Sequence, residues 1–145
     1  MSIRTREVAA GPEKCWSVLA DGWLYPLWVV GATRMRDVDA DWPAVGSKLH
    51  HSVGTWPFVL DDNTEVLEAE PNHRLTLRAR AWPAGEAHVD IRLKGLDGGS
   101  RTEISIEEMA AAGPGTMVPG PVQDFLIGWR NGEALQRLAL LIEGR

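Results

Sequence analysis

The chain has 145 residues, a length typical of one domain with a sizeable core. Hydrophobic residues make up 44% of the chain and charged residues 24%, and the net charge is −5. The basic residues are scattered, which excludes a clustered nucleic-acid-binding surface, and the negative charge disfavours binding to an anionic membrane. One cysteine, Cys15, allows no internal disulfide, and no stretch resembles a signal peptide or a transmembrane helix, so we expect one cytoplasmic domain over residues 1–145.

The first predicted elements are a strand over residues 2–8 and a helix that follows it. Pro12 suits the first position of this helix, and Trp16 and Leu19 share one face at helical spacing. A second short helix is predicted within residues 22–28, where Pro26 forbids a long one.

From residue 32 onward the pattern changes to alternation of apolar and polar residues. One apolar face and one charged face indicate an antiparallel sheet that is solvated on one side. Gly and Pro clusters at 83–86 and 97–100 predict hairpin turns. The predicted strands lie at 33–39, 47–55, 64–70, 73–82, 86–96 and 101–109.

The chain ends in a predicted helix of roughly twenty residues, about 30 Å long. This helix needs an apolar partner, and the apolar face of the sheet is available, which gives an α+β fold. The residues expected along its sheet-facing side are Val122, Phe125, Trp129, Leu135, Leu138 and Ile142.

Four segments in this order resemble the START-like helix-grip superfamily (SRPBCC), especially its polyketide cyclase/dehydrase-like branch. They are residues 9–21, 45–53, 65–80 and 130–145. The resemblance implies a curved antiparallel sheet of about seven strands around the C-terminal helix, with two short helices after strand 1 and an apolar cavity between sheet and helix. Members typically bind lipids, sterols, polyketides or other hydrophobic molecules, and some cyclise or dehydrate polyketide chains. The superfamily has no shared catalytic signature, so the resemblance assigns no catalytic residue.

Trp23, Tyr25 and Trp28 fall within six positions, and the resemblance places their helices beside the mouth of the cavity. We expect Trp28 to border the ligand. Trp16 and Trp23 are expected to pack the protein interior instead.

Two polar residues share the register of inward-facing apolar neighbours. His51 alternates with Leu49 and Val53, so it is either a general base or ligand-orienting group, or a core histidine bonded to backbone or water. Glu108 continues the register of Ile106, and it is either an acid or a partner of His51, or a carboxylate that reaches water where the strand ends. These two residues are the candidates for catalysis.

Gly128 and Gly132 lie one turn apart in the C-terminal helix, where each costs roughly 1 kcal/mol relative to alanine. Close packing against the sheet could offset that cost, or the missing side chains could leave volume for a ligand. The Gly/Pro-rich segment 110–121 is either a gate or a plain connection.

No metal or cofactor is expected. Asp61 and Asp62 lack a third ligand at the spacing of a calcium loop and are interpreted as turn residues. The four histidines and Cys15 show no zinc spacing.

Three functions are compatible with these patterns. The first is binding of a hydrophobic or amphipathic small molecule; the second is a cyclase or dehydratase with His51 as base and Glu108 or a tryptophan N–H polarising the substrate; the third is a protein-interaction module with a tryptophan-filled core. Stable membrane insertion is not expected, and a homodimer is left open. The residues expected to line the ligand site are Trp28, His51, Val53, Leu77, Ile91, Ile106, Phe125, Trp129 and Gly132.

Overall fold

The computed structural model describes residues 2–29, 32–53, 60–81 and 85–144. Side chains at positions 32–34, 53, 60 and 81 are outside that description. Statements below about what is absent refer to this part of the chain.

Seven strands form one antiparallel sheet in the order β1-β7-β6-β5-β4-β3-β2. The helices follow β1 or end the chain, so the predicted α+β helix-grip fold is confirmed. The strands are β1 (Ser2–Val8), β2 (Ala32–Val38), β3 (Lys48–Val53), β4 (Leu60–Glu70), β5 (Arg74–Ala81), β6 (Gly85–Leu96) and β7 (Arg101–Ala112). The helices are α1 (Pro12–Leu19), α2 (Tyr25–Trp28) and α3 (Gly120–Glu143), with a 3-10 turn at Gly22–Leu24 before α2. No helix in the described ranges is both long and apolar enough to cross a membrane.

Strand β4 begins earlier than the sequence pattern predicted. Asp61 and Asp62 lie within this strand, so their interpretation as turn residues is wrong. Asp61 accepts a hydrogen bond from the Ser52 hydroxyl at 2.7 Å, and Asp62 lies 3.7 Å from the Arg80 guanidinium. Both carboxylates have partners on neighbouring strands, and Asp62 also accepts a hydrogen bond from the Asn63 amide at 2.8 Å, so local turn chemistry alone does not describe them.

The inner face of the sheet changes in bulk from one cross-strand row to the next. Val66, Leu77, Val89 and Glu108 are paired in register, and this row carries large side chains. The adjacent row starts at Thr64 and continues through three half-buried alanines, Ala79, Ala87 and Ala110. We call these four residues the small-residue row. Three of the four side chains in this row are single methyl groups, so they leave more room over the sheet than the valines, leucine and glutamate of the neighbouring row.

Helix α3 packs its buried face mainly against β1 and α2. The prediction that Val122, Phe125 and Trp129 share that face is wrong: Phe125 is 70% exposed and Trp129 66% exposed. Leu126 lies with them on an exposed apolar stripe in the first half of the helix. The buried face consists of Gly128, Asn131, Ala134, Leu135, Leu138, Ala139 and Ile142.

The two helix glycines have different surroundings. A Cβ at Gly128 would lie 2.9 Å from Arg4 Nη2 and 3.0 Å from Ser2 Oγ, so this glycine permits close contact with β1. A Cβ at Gly132 would meet no atom of the described residues within 4 Å. Close packing therefore accounts for Gly128, whereas Gly132 leaves open space.

This contrast predicts opposite responses to alanine. Gly132→Ala is expected to raise the free energy of unfolding by about 1 kcal/mol, the difference in helix propensity. Gly128→Ala gains the same propensity but forces Arg4 and Ser2 to move, so its net gain is smaller or negative. Urea unfolding of both variants checks this, and equal gains at the two positions would contradict it.

Candidate functional site

A chain of three buried polar side chains links α2 to the sheet. The Thr64 hydroxyl lies 2.8 Å from His51 Nε2 and 3.2 Å from the Tyr25 hydroxyl. Thr64 is 0% exposed, His51 2% and Tyr25 6%. A single threonine on β4 thus connects an imidazole on β3 to a phenol on α2.

Strand alternation explains how His51 reaches the interior. Leu49 and His51 point inward, and both are buried. His50 points the other way, where its Nε2 lies 2.9 Å from Asp39 Oδ1. The adjacent histidines therefore have separate environments, as the sequence pattern predicted.

One nitrogen of His51 is unsatisfied. Nδ1 is buried and has no hydrogen-bond partner among the residues that the structure describes. Burial lowers the pKa of the His51 imidazole, against a smaller opposing effect from the charge of Asp62. The ring is therefore neutral at neutral pH, and Nδ1 is available to a bound molecule as one end of a hydrogen-bonded chain.

Aromatic rings enclose this chain. The Tyr25 ring stacks on His51 at 5.6 Å between centroids and meets Trp28 edge-on at 5.5 Å. Burial raises the pKa of the Tyr25 phenol, opposed by the Thr64 hydrogen bond, so the hydroxyl stays protonated. The three closely spaced aromatic residues of the sequence therefore have different locations: Tyr25 and Trp28 are buried, and Trp23 is 57% exposed. The prediction that Trp23 packs the interior is wrong.

Trp23 instead lines an open surface pocket together with Trp42. Trp16 is partly buried and packs against the core, as predicted. Of the tryptophans that the structure describes, only Trp28 belongs to the fully buried core, which is otherwise built largely from aliphatic side chains. This composition does not support a tryptophan-filled interior.

Glu108 is buried, at 5% exposure, and Arg130 on α3 donates a hydrogen bond to its Oε2. The alternative in which the strand ends near Glu108 and its carboxylate reaches water is wrong, because β7 continues to Ala112. The Glu108 carboxylate also raises the pKa of Tyr25, and the Arg130 charge opposes it. The partner of Glu108 is therefore Arg130 and not His51.

The remaining candidate lining residues occupy three kinds of position. Leu77, Ile91 and Ile106 are buried in the core, at 2%, 0% and 2% exposure. Phe125 and Trp129 are exposed on α3. Val53 lies in β3 with its side chain outside the described set. The structure therefore gathers Trp28 and His51 around the polar chain, and it leaves Phe125 and Trp129 outside the buried interior.

Sequence reasoning did not identify Tyr25 as a polar partner, nor Thr64, Arg130 or Asn131 at all. Thr64 shares the inward register of Val66, so alternation along β4 was an available signal. Asn131 lies three residues from Gly128 on the buried face of α3, at 5% exposure. No comparable signal marked Arg130, because its partner lies 22 residues away on β7.

The lowered pKa of His51 predicts an acid-sensitive contribution to stability. Below the ordinary imidazole pKa of about 6.5, His51 is protonated in the unfolded chain but still neutral in the folded chain. The free energy of unfolding therefore falls as the pH decreases towards the folded pKa. His51→Asn removes this linkage. Urea unfolding between pH 7.5 and 5 should show a steeper loss for the wild type than for the variant, and parallel pH profiles would contradict the assignment.

No group of three or more His, Cys, Asp or Glu side chains among the described residues is arranged to hold a metal ion.

The sequence matches the family model "Polyketide cyclase / dehydrase and lipid transport" over residues 3–143. The chain belongs to this family. A search of curated proteins finds no significant match. Among solved structures, a Rhodobacter sphaeroides protein is 25% identical with a TM-score of 0.71, covering 98% of this chain and 91% of its own.

Other structures share the fold at lower identity. A Chromobacterium violaceum protein is 20% identical with a TM-score of 0.68, covering 97% of this chain and 96% of its own. The di-domain ARO/CYC StfQ from the steffimycin biosynthetic pathway is 14% identical with a TM-score of 0.71, and the match covers 99% of this chain and 44% of StfQ. Membership of the polyketide cyclase/dehydrase and lipid transport family thus agrees with the helix-grip sheet.

Proposed function

We propose that this protein binds a small hydrophobic or amphipathic molecule between the inner face of the sheet and α3. The observation that carries the proposal is the unpartnered Nδ1 of His51, a buried polar atom at 2% residue exposure. Leaving such a group unsatisfied costs roughly 1–3 kcal/mol, and a ligand that supplies the missing hydrogen bond recovers it.

Small side chains near this histidine support the same proposal. Thr64, the hydrogen-bond partner of His51, begins the small-residue row, and the alanines of that row continue across β5, β6 and β7. On the helix, no atom of the described residues lies within 4 Å of a Cβ placed at Gly132. An apolar body can lie along the row while its polar group meets His51, the usual composition of a small-molecule site.

Native mass spectrometry of protein purified from its own host without delipidation tests this function. We expect a reproducible adduct of hundreds of daltons that is lost on denaturation. Thermal shifts are measured in parallel with four bicyclic probes, which are tetralin, 1-tetralone, 5,6,7,8-tetrahydro-2-naphthol and 6-hydroxy-1-tetralone. The absence of both an adduct and a thermal shift from any of these probes would contradict the proposed function.

A second candidate, a cyclase or dehydratase, is favoured by the same hydrogen-bonded chain. With Nε2–H donating to Thr64, the neutral His51 can take a proton on Nδ1 from a carbon next to a substrate carbonyl, leaving an enolate and an imidazolium. In this mechanism the ion pair between the buried Glu108 and the partly exposed Arg130 positions α3 against the sheet rather than donating the proton.

Exchange of the C2 hydrogens of 1-tetralone in D2O, followed by NMR, isolates that proton-transfer step. An enzyme of this kind accelerates exchange in the wild type and not in His51→Ala. If tetralone binds to the wild type without accelerated exchange, the protein is a binder and not a base catalyst of this type.

A further inference from the structure

Helix α3 carries a second buried polar atom with no partner. Asn131 is 5% exposed, and its Nδ2 has no hydrogen-bond partner among the described residues. A side-chain amide nitrogen is a donor of two hydrogens, so a buried and unpaired one requires an acceptor. Helix packing does not require asparagine here, because asparagine has a lower helix propensity than leucine and costs more free energy to bury.

The neighbours of Asn131 place it at the proposed ligand site. The next residue, Gly132, leaves open space above the helix, and the preceding residue, Arg130, bonds Glu108 on β7. The charges of Glu108 and Arg130 both act on the Tyr25 phenol. Helix α3 packs against α2, which carries Tyr25, and against β1 and β7 of the sheet.

We propose that Asn131 is a specificity-determining residue that donates a hydrogen bond from Nδ2 to an acceptor oxygen of the ligand. This inference rests on the proposed binding function. Together, Asn131 on the helix and His51 on the sheet select a compact apolar body with oxygen functions at two separate edges. A molecule with one polar end can form a hydrogen bond with only one of the two unpaired atoms, His51 Nδ1 or Asn131 Nδ2.

Four bicyclic probes of nearly equal shape separate the two anchors. Tetralin carries no oxygen, 1-tetralone a carbonyl, 5,6,7,8-tetrahydro-2-naphthol a hydroxyl, and 6-hydroxy-1-tetralone both. Their dissociation constants are measured by calorimetry for the wild type, for Asn131→Leu, which keeps the branching at Cγ but has no polar atoms, and for the smaller Asn131→Ala. Leu135→Met, on the same buried face and without polar atoms, is the matched control.

We expect the wild type to bind 6-hydroxy-1-tetralone tightest. Asn131→Leu should weaken the two ketones about tenfold, the equivalent of one hydrogen bond, and leave tetralin and the tetrahydronaphthol unchanged. The leucine variant should also melt at the same or a higher temperature, because it removes an unpaired polar group. Leu135→Met should not change the ranking of the probes.

Two results overturn the inference while leaving the binding function intact. One is that the wild type and the Asn131 variants bind all four probes with the same ratios between their dissociation constants. The other is a lower melting temperature for both Asn131→Leu and Asn131→Ala, together with unchanged ketone preference, which assigns the amide a structural role. If the wild type binds none of the four probes but carries a co-purified adduct, this inference fails and the binding function stands; if it carries no adduct either, both fail.

Discussion

Replacing Thr64 with valine is expected to lower the free energy of unfolding by about 2–5 kcal/mol, because it leaves two buried polar groups without a partner. The hydroxyl of Thr64 joins Tyr25 Oη and His51 Nε2, and all three residues are buried. Valine has nearly the same shape, so the loss reports hydrogen bonding rather than a cavity. Urea denaturation followed by circular dichroism measures it.

Thr102→Val is the matched control for this experiment. Thr102 is also 0% exposed, but its hydroxyl donates to the backbone carbonyl of Ala10 at 2.7 Å and bridges no pair of rings. Tyr25→Phe, which deletes one end of the chain and leaves His51 bonded to Thr64, should cost less than Thr64→Val. If Thr64→Val and Thr102→Val destabilise equally, the polar chain makes no special contribution to stability.

Replacing Gly132 with leucine is expected to abolish uptake of the four bicyclic probes, weakening their binding by a factor of about 100 or more. The physical reason is volume: no atom lies within 4 Å of a Cβ at this position, and a leucine side chain would occupy that space. Calorimetric titration of the probes, with native mass spectrometry of the co-purified molecule, measures the effect.

Two variants separate loss of space from loss of fold. Gly132→Ala adds only a methyl group and should keep most of the affinity, while Gln136→Leu adds leucine at an exposed position one turn later. Both should bind the probes and unfold cooperatively. Unimpaired uptake by a folded Gly132→Leu protein would show that the ligand does not use this space.

Local periodicity was enough to predict the order of strands and helices, because alternation along β5, β6 and β7 is clear and the breaks fall at Gly and Pro. It also placed His51 in the interior, since Leu49 fixes the parity of β3. It could not predict the partner of His51. That contact joins β3 to β4 and α2 and depends on strand register and on the position of Tyr25, which lies 39 residues from Thr64.

The wrong assignment on α3 has a specific cause. The helix has large apolar residues on two sides, and the pattern alone favoured the side with Phe125 and Trp129. In the first half of the helix the buried face is occupied by Gly128 and Asn131, two residues that a search for hydrophobic periodicity passes over. Gly128 is buried by close contact with Arg4 and Ser2 of β1, which hydropathy does not predict.

The uneven burial of α3 has a consequence for how a molecule reaches the interior. Its second half is held by Leu135, Leu138 and Ile142, and Glu143 accepts a hydrogen bond from the Ala9 amide at 2.9 Å, whereas the first half leaves Phe125 and Trp129 in solvent. Backbone amides from Gln123 to Trp129 should therefore exchange with deuterium well before those from Leu135 to Ile142. If the proposed binding function holds, fraying of these first turns would admit a ligand while the second half of the helix stays folded.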